Sequence, residues 1–355
     1  MELTGLYERI GEWMSGNGHE SDVVISSRVR LARNASGYRF MSRASLEERR
    51  ELADLLRGAV IRAGCPTPLE YFDLEPLAAV DRQLLVERHL ISRELADAEG
   101  PRGVALAEDE TVSIMINEED HLRMQVMRGG LDLENAWLAM TTLDHAVERQ
   151  VPYAFDSQFG YLTACPTNMG TGLRVSIMLH LPALAMTREL QRVFNAAAKI
   201  DFTVRGLYGE GTQGHGDFFQ ISNQKSLGRA EKEIIGNLDV VIPQIIRYER
   251  KVRAGLLTEH RRQVEDRIWR AHGILCNARV IGSEEALHLL SQLRLGINLG
   301  LLKELDIPLI HRLFVLTRPA HLQKLEGREL ESADRDAARA DFLRKCLGGR
   351  QLAHE

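Results

Sequence analysis

The chain has 355 residues, which is more than one hydrophobic core normally serves, so we expect one large domain and a smaller one. Hydrophobic residues make up 44% and charged residues 27% of the sequence, which argues against a disordered or membrane-embedded chain and indicates a globular protein. The formal net charge of -5 provides no overall field for nucleic acid or for a membrane surface, so neither is an expected partner.

Cysteine usage and the N-terminus predict a cytoplasmic location. The four cysteines are widely spaced and include no Cys-X-X-Cys pair, so neither a zinc site nor a disulfide framework is expected. The N-terminus lacks a basic-then-apolar signal pattern, and no apolar run approaches the roughly 18 residues of a membrane span.

Periodicity predicts mixed helices and strands before about residue 228, and helices after it. In the first part we expect helices over 3–14, 45–63, 81–90, 132–149 and 187–198, and strands over 23–34, 103–107, 111–116, 151–155, 160–163, 175–184, 202–206 and 218–222. In the second part we expect helices over 229–254, 258–276, 283–295, 306–316 and 332–347.

An arginine pair lies in the first predicted strand, within Ser26-Ser27-Arg28-Val29-Arg30. Arg28 and Arg30 are two residues apart, so both project from one face of an extended segment. Adjacent guanidinium groups repel each other unless an anion lies between them, and a polyphosphate is the obvious candidate. The alternative is a solvated basic edge strand.

An acidic cluster follows the strand that ends at residue 116, in the order Asn117-Glu118-Glu119-Asp120-His121-Leu122-Arg123. A carboxylate held at that position is suited to accept a proton or to bind a cationic substrate. The alternative is an acidic turn in water.

The loop Cys165-Pro-Thr-Asn-Met-Gly-Thr-Gly-Leu-Arg174 connects two predicted strands and combines a thiol, two glycines and an arginine. Loops between strands often carry chemistry, and a cation such as Arg174 can lower the pKa of a thiol. The alternative is a structural loop with an inert cysteine. A second loop, residues 208–216, is rich in glycine and suited to close over a ligand, but it lacks the Gly-Lys-Ser/Thr of a Walker loop.

Four of these segments, in this order, resemble the active-site blocks of the phosphagen (guanidino) kinases. They are the Ser-Ser-Arg-Val-Arg segment, the Asn117–Arg123 segment, the Cys165 loop, and Val204-Arg-Gly-Leu-Tyr-Gly-Glu-Gly-Thr212. The resemblance spans roughly residues 20 to 230 and implies an α+β fold: a phosphagen-kinase-like catalytic domain with an antiparallel β-sheet flanked by helices, plus a C-terminal all-helical domain. We assign residues 1–20 to an N-terminal helix and lead-in, 21–245 to the catalytic domain and 246–355 to the helical domain.

Within this family the chain is similar to the bacterial protein arginine kinases. No all-helical domain precedes the catalytic blocks, a helical domain follows them, and Arg335-Asp-Ala-Ala-Arg-Ala340 matches the phosphoarginine-binding motif of those kinases. The resemblance implies transfer of the γ-phosphoryl group of ATP to arginine side chains of proteins. It also implies Mg²⁺ held mainly through the nucleotide phosphates, with no protein metal site.

The resemblance assigns Glu119 and Glu210 as acids that deprotonate and align the guanidinium, with Glu118 as an alternative, and Cys165 as a thiolate beside it. It places five arginines around the triphosphate and His89 at the base or ribose. The implied nucleotide-binding residues are Ser26, Ser27, Arg28, Val29, Arg30, His89, Arg123, Arg174, Val175, Ser176, Ile177, Met178, Arg205, Gly206, Leu207, Tyr208, Gly209 and Glu210.

A second, allosteric site for phosphoarginine is implied at Arg335, Asp336, Ala337, Ala338, Arg339 and Ala340. If this segment is helical, residues 335 and 339 share a face; an arginine takes the phosphate and Asp336 takes the guanidinium. Without the family resemblance, an ordinary exposed helix with an Asp336–Arg339 pair is the better interpretation.

The implied partners are protein substrates with exposed arginines, a Clp-type AAA+ unfoldase or protease, a zinc-finger activator protein and a stress-response transcription repressor as substrate. A homodimer is also expected. The alternatives are a kinase for free arginine or another small guanidino compound, and a catalytically weak phosphoarginine-binding adaptor. Gln213 supports the adaptor, because it occupies a position where an acid is expected and an amide cannot act as a base.

Overall fold

An eight-stranded antiparallel sheet forms the centre of the computed structural model, which describes residues 5–6, 9–65, 67–206 and 215–348. The strand order is β2-β3-β4-β5-β1-β8-β10-β9, and a two-stranded hairpin, β6-β7, lies apart from it. The strands are β1 Val24–Arg33, β2 Leu69–Asp73, β3 Gly103–Ala107, β4 Val112–Ile116, β5 Leu122–Gly129, β6 Phe155–Asp156, β7 Gly160–Tyr161, β8 Leu173–His180, β9 Phe202–Gly206 and β10 Phe218–Asn223.

Twelve α-helices are described. In the first part of the chain they are α1 Leu46–Arg62, α2 Ala79–Glu87, α3 Arg93–Asp97, α4 Leu133–Glu148, α5 Pro182–Met186 and α6 Leu190–Ala198. In the second part they are α7 Glu231–Glu259, α8 Arg261–Asn277, α9 Ser283–Asn298, α10 Ile307–Leu316, α11 Pro319–Glu326 and α12 Ser332–Leu347.

Each face of the sheet is covered by its own hydrophobic core. Alternation along the strands sends residues such as Val29 and Val175 to one face, where they pack against α1, α4, α6 and α7. Residues such as Met115 and Met127 point to the other face and pack against α2, α3 and the helices from α8 onward. The helical C-terminal region is therefore not a separate body, because it shares a core with the sheet.

A buried arginine, Arg294 on α9, reinforces this junction. Its guanidinium donates to the carbonyl oxygens of Ser21 and Asp22 at 2.5 and 3.0 Å, and its Nη1 lies 2.7 Å from Nδ1 of His180. Its Nε donates to Nε2 of His311 at 3.0 Å. Burial, partly offset by nearby acids, lowers the pKa of Arg294 to about 9. Four partners for one guanidinium fix α9 against the segment before β1.

Most predicted elements are present, with the predicted antiparallel sheet and helical C-terminal region. The strand predicted over 151–155 is reduced to the two-residue β6, Phe155–Asp156, and two further predictions are wrong. Within the described part of segment 3–14, residues 5–6 and the 3-10 turn Glu12–Met14 form short 3-10 structure instead of an α-helix, and the Glu12 backbone N–H donates to the carbonyl of Asp109 instead of to a helix turn. The predicted strand over 175–184 ends at His180, and helix α5 begins at Pro182.

Helix α5 begins there for two reasons. A proline is well suited to the first turn of a helix, and the buried Glu249 carboxylate accepts hydrogen bonds from the N–H groups of Ala183 and Leu184, both at 3.1 Å. The predicted domain boundary at residues 245–246 falls inside the continuous helix α7.

Candidate active site

Three neighbouring strands, β1, β5 and β8, bring four arginines to one face of the sheet. Arg28 and Arg30 alternate with buried Val29 on β1, and the antiparallel register sets Arg30 opposite Arg174 of β8. Arg123 of β5 is on the neighbouring strand, at the position that pairs with Ala32. Strand pairing alone therefore builds a cationic surface from residues that are far apart in sequence.

The arginines on this surface repel one another. Burial, then repulsion by Arg123 and Arg174, lower the pKa of Arg28 to about 9. Burial, and then the charges of the neighbouring arginines, also lower the pKa of Arg30. The nearby Glu118 carboxylate acts in the opposite direction and raises it. The Nε atoms of Arg30 and Arg174 are buried without a hydrogen-bond partner among the described residues. Such a surface is preorganised for a multiply charged anion.

A cavity of about 470 Å³ lies over these arginines. Its walls come from β1, β4, β5, β9, the α2–α3 segment and the start of α11. The lining includes the charged or polar residues Arg28, Arg30, Glu87, His89, Ser92, Arg93, Glu94, Arg123, Gln125, Arg205 and Arg318. Its size and positive lining suit a nucleoside polyphosphate.

His89 forms part of one wall of this cavity, just after α2, in the left-handed backbone region with φ 58°. Its carbonyl accepts a hydrogen bond from Nε2 of Gln125 at 2.8 Å, and its ring packs edge-on against Trp13. Burial and four nearby arginines lower the pKa of His89 to about 3. A neutral imidazole in a non-glycine left-handed conformation is a strained feature of the kind found at ligand sites.

A second cavity, of about 180 Å³, adjoins the first and shares Arg30 and Arg123 with it. The predicted reactive groups line it together: Glu118, Glu119, Cys165 and Arg174. This juxtaposition joins a polyphosphate-sized cationic cavity to a pocket with carboxylates and a thiol.

The two adjacent glutamates in this pocket differ in their surroundings. The Glu118 carboxylate forms an ion pair with Arg123 at 2.5 Å, and its side chain is 3% exposed. Glu119 is exposed, and no ion pair of Glu119 with another described residue is present. Partial burial, then Asp120 and Glu118, raise the pKa of Glu119. A more basic, unpaired carboxylate is the better proton acceptor, which favours Glu119 over Glu118.

Asp120 and Asn34 fix the acidic segment against the Cys165 loop. The buried Asp120 carboxylate accepts from Nδ2 of Asn34 and from the N–H of Ala164, both at 2.7 Å. Asn34 also donates to the carbonyl of Leu162 at 3.0 Å and accepts from the N–H of His121 at 2.9 Å. These bonds hold the segments that carry Glu119 and Cys165 together, and both residues line the same pocket.

The Cys165 loop depends on glycine at two positions. Gly170 and Gly172 have φ values of 97° and 66°. A Cβ on Gly170 would come within 2.8 Å of the Leu227 Cα, and one on Gly172 within 2.6 Å of the Ala32 carbonyl oxygen. The loop is therefore packed tightly on the sheet, with the Cys165 Sγ 3.0 Å from the Thr167 hydroxyl.

Four of the predicted nucleotide-binding residues place their side chains away from the cavities, so any contact they make would be through the backbone and stays a prediction. The side chains of Ser27, Val29, Val175 and Ile177 point to the opposite face of the sheet. The Ser27 hydroxyl donates to the carbonyl of Gly130 at 2.8 Å and accepts from the N–H of Asp132, so it anchors the start of α4. These four side chains do not line either cavity.

The remaining predicted contacts are distributed as follows. Ser176 supports Arg28, since Nε of Arg28 donates to its hydroxyl at 3.2 Å, while Ser26 and Met178 are buried and do not line the cavity. Gly206 is buried at the end of β9, next to the exposed Arg205. Leu207, Tyr208, Gly209, Glu210 and Gln213 lie outside the described residues, so their predicted roles stay predictions.

The predicted second site lies on α12, where Arg339 and Asp336 form a 2.5 Å ion pair. Arg339 is 1% exposed and also donates to the carbonyls of Thr317 and Ile281, both at 2.8 Å. Arg335 is half-buried and donates to the carbonyl of Leu330. Ala337 and Ala338 are half-buried, and Ala340 is buried in the core. A role in phosphoarginine binding stays a prediction.

Sequence reasoning missed Arg93, Gln125 and Arg318 as cavity residues. Arg93 directly follows the N-cap Ser92 of α3, and that capping pattern was the available signal. No signal marked Arg318, because helix α11 itself was not predicted and nothing in the sequence indicates that it packs beside α2.

No group of three or more His, Cys, Asp or Glu side chains arranged to hold a metal ion occurs within the described ranges. In the same part of the chain, every helix is too short or too polar to cross a bilayer.

Comparison with known protein families gives two adjoining matches. Residues 53–252 match the family described as ATP:guanido phosphotransferase, C-terminal catalytic domain. Residues 261–354 match the family described as protein-arginine kinase McsB C-terminal domain. Together they span most of the chain.

Similar curated proteins carry the name protein-arginine kinase. The protein from Symbiobacterium thermophilum is 47% identical over 94% of this chain and 96% of its own length. The one from Halothermothrix orenii is 47% identical over 98% of this chain and 99% of its own length.

Solved structures of guanidino kinases are also similar. Duplicated taurocyamine kinase from Schistosoma mansoni, with bound transition-state analogue components, matches with a TM-score of 0.60 and 25% identity over 69% of this chain and 35% of that one. Lombricine kinase matches with a TM-score of 0.57 and 25% identity over 70% and 71% of the two chains. The expected phosphagen-kinase-like fold is therefore confirmed.

Proposed function

Because the chain belongs to the protein-arginine kinase family of ATP:guanido phosphotransferases, we propose that it transfers the γ-phosphoryl group of ATP to arginine side chains of proteins. The observation that carries this proposal is the pair of adjoining cavities that share Arg30 and Arg123. One suits a polyphosphate, and the other offers carboxylates to a guanidinium.

In the proposed reaction, Glu119 acts on the substrate arginine. A guanidinium is a poor nucleophile because it is protonated and its electrons are delocalised. The Glu119 carboxylate removes one N–H proton, and the freed nitrogen lone pair forms a bond to the γ-phosphorus. The bond from that phosphorus to the bridging oxygen breaks, and ADP leaves with the electron pair. A raised pKa makes Glu119 a stronger base for this step.

Cys165 and Glu118 position the substrate. The Cys165 sulfur contacts and orients the guanidinium, and it lies 3.0 Å from the Thr167 hydroxyl. The Glu118–Arg123 ion pair orients Arg123 between the two cavities. Glu210, a second acid in the proposed reaction, lies outside the described residues. No covalent intermediate is required, because in-line transfer proceeds in one displacement.

Arg28, Arg30, Arg123, Arg174 and Arg205 stabilise charge on the phosphoryl group during transfer. The cavity lining is mainly arginine, which fits Mg²⁺ bound through nucleotide oxygens more than through protein ligands. When bound, the ion neutralises part of the phosphate charge.

The biological setting is proposed from the family alone. We infer that arginine phosphorylation marks substrates for a Clp-type AAA+ protease, that a stress-response repressor is a substrate, and that a zinc-finger protein acts as activator. We also infer a cytoplasmic homodimer, in which phosphoarginine binding at Arg335 and Asp336 biases the active assembly.

The test of the catalytic proposal uses Mg-ATP with an unfolded arginine-containing protein, and separately with free arginine. Phosphorus–nitrogen bonds are acid-labile, so the product is followed by ³¹P NMR or by mass spectrometry without acid. We expect label on the protein substrate, lost in Cys165→Ala but retained in Cys276→Ala, a matched change on α8 outside both cavities.

Label on free arginine alone would replace the proposal with a small-molecule guanidino kinase. Absence of label, with tight phosphoarginine binding that Asp336→Ala abolishes, would indicate an adaptor.

A further inference from the structure

We propose that Arg318, in the helical C-terminal region, binds the phosphate groups of the nucleotide and completes the ATP site. This inference rests on the proposed kinase function. It adds a phosphate-binding residue from outside the four catalytic blocks.

Arg318 belongs to the cavity by position. It is the N-cap residue of α11 and lines the 470 Å³ cavity together with Arg28, Arg30, Arg93, Arg123 and Arg205. The other residues that line this cavity all lie between positions 28 and 205 of the described chain. The C-terminal region reaches the site because it packs on the same face of the sheet.

A buried carboxylate holds the start of α11 against the cavity. Glu87, at the end of α2, is 2% exposed and accepts hydrogen bonds from the N–H groups of Ala320 at 2.9 Å and His321 at 3.3 Å. The Glu87 carboxylate also accepts from Nδ1 of His321 at 2.9 Å. The other ring nitrogen of His321, Nε2, lies 3.2 Å from Nη1 of Arg88. Carboxylate capping at a helix N-terminus is favourable. The backbone of Arg318 is therefore fixed relative to α2, which leads into His89.

The residue before Arg318 is fixed from the other side. The carbonyl of Thr317 accepts from Nε of the buried Arg339 at 2.8 Å. Pro319 fixes the backbone at the first position of α11. The corner that carries Arg318 is held by α2, α11 and α12, so its guanidinium starts from a rigid base, as a preorganised ligand group requires.

Charge favours a phosphate contact. Six arginines line the cavity, against two acids, Glu87 and Glu94. Glu87 is already engaged by the α11 N-terminus and His321, so it does little to neutralise the arginines. Arg318 is also among the cations whose charge lowers the pKa of His89. A sixth cation in such a cavity is stabilised by a polyphosphate and not by a neutral base or ribose.

The experiment compares wild type, Arg318→Ala, Arg318→Lys and Arg312→Ala for binding of Mg-ADP, tripolyphosphate and adenosine. Arg312 is an exposed arginine on α10 outside the cavity, and it controls for loss of charge in the same region. We expect Arg318→Ala to weaken the binding of Mg-ADP and of tripolyphosphate by about 10- to 100-fold, which is the effect of one charge-assisted hydrogen bond. The affinity for adenosine should be unchanged. Arg318→Lys should recover part of the loss, and Arg312→Ala should match wild type.

The outcomes separate this inference from the kinase proposal. If wild type binds no Mg-ADP, the kinase proposal fails. If wild type binds Mg-ADP and folded Arg318→Ala binds it equally well, Arg318 is not a phosphate ligand. A loss of equal size for adenosine and Mg-ADP would assign Arg318 to the nucleoside and overturn the phosphate contact. Melting curves establish that each variant is folded.

Discussion

Arg30 and Arg33 lie three residues apart on β1 and have opposite electrostatic surroundings. Arg33 forms a buried bidentate pair with Asp144, at 3.1 and 2.7 Å, and its guanidinium lies 3.6 Å from the ring centroid of Tyr161. Arg30 faces other arginines, and its Nε has no hydrogen-bond partner among the described residues. Arg33 therefore stabilises the fold, whereas Arg30 is repelled by its neighbours, and under the proposed function a bound polyphosphate would offset that repulsion.

Replacing each arginine by methionine should therefore have different effects on stability. We expect Arg30→Met to leave the free energy of unfolding unchanged or to raise it by about 1 kcal/mol, because repulsion and an unsatisfied donor are removed, while Mg-ADP affinity falls by about 10- to 100-fold. Arg33→Met should lower the free energy of unfolding by about 3–5 kcal/mol, because it leaves the Asp144 carboxylate buried and unpaired. Denaturant titrations measure the free energy of unfolding of each variant, and Mg-ADP titrations measure its nucleotide affinity. Equal destabilisation by the two variants would contradict this assignment.

Glu119 can be tested separately from nucleotide binding. Glu119→Gln keeps the shape of the side chain but cannot accept the proton, so kcat should fall by about 10²- to 10⁴-fold with Mg-ADP affinity unchanged. Because the pKa of Glu119 is raised, wild-type activity should fall as pH drops through that value, and the variant should lose this acid limb. Glu134→Gln, an exposed change at the start of α4, is the control. A parallel loss of ADP affinity would assign Glu119 to binding instead.

At the scale of elements, the Cys165 loop illustrates how a loop is held without regular structure. The N–H of Tyr161 donates to the carbonyl of Gly170 at 2.8 Å, and the N–H of Ala32 donates to that of Gly172 at 3.1 Å. The Ser226 hydroxyl donates to the carbonyl of Met169 at 2.8 Å. Backbone contacts this close leave no space for a side chain on either glycine.

Gly170→Ala should therefore destabilise the protein by at least about 1–2 kcal/mol, because the added Cβ requires both a disfavoured φ and movement of Leu227. We also expect a thiol reagent to label Cys165 more slowly in this variant, at a rate closer to that of a cysteine with no fixed position. Gly255→Ala is the control of opposite sign: it lies within α7 with no atom near its added Cβ, so it should stabilise by up to about 1 kcal/mol. An unchanged melting temperature for Gly170→Ala would contradict the argument.

Local sequence patterns predicted elements well where local interactions determine them. Ser45 caps α1 by accepting from the N–H of Glu48, and residues 332–347 form α12 with the predicted bounds. Tertiary contacts decided the failures: the Asp109 carbonyl binds the Glu12 N–H, and Glu249 caps α5. The same holds for the larger cavity: the family resemblance named Arg28, Arg30, His89, Arg123 and Arg205 among its lining residues, but not Arg318.

At the scale of the whole molecule, buried neutral histidines link the sheet to the C-terminal helices. His180 and His311 both lie within hydrogen-bond distance of Arg294, a permanent donor, so each is restricted to a neutral tautomer. Burial and this cation lower the pKa of His311 to about 3, and the pKa of His180 is lowered for the same reasons. The half-buried His89 and the buried His321 also have lowered pKa values.

Stability should therefore fall in acid. The unfolded chain protonates its histidines near pH 6.5, whereas the lowered pKa values keep these four neutral in the folded protein, so their contribution is complete above that pH and is lost as pH falls through the folded-state pKa values, which are about 3 for His89 and His311. Each of these histidines adds up to about 1.4 kcal/mol per pH unit to the slope of the unfolding free energy against pH. Asp217, with its pKa raised to about 6 mainly by burial, opposes this trend by one proton between about pH 6 and 4.

Denaturant unfolding at pH 7.5, 6 and 5 measures this slope. His311→Gln should reduce it by about one proton, whereas the exposed His145→Gln should leave it unchanged. A stability that is constant between pH 7.5 and 5 would contradict the neutral assignment.

The capping of α11 by Glu87 also limits how freely the two family modules can be recombined. Their family matches meet between residues 252 and 261, which invites chimeras joined at that border. A foreign helical module would have to present free N–H groups to Glu87, a buried guanidinium to His180 and to the carbonyls of Ser21 and Asp22, and a cation at the corner before its own α11. Inheritance of the two modules as one unit is therefore expected, and a successful graft would need these contacts transplanted as a set.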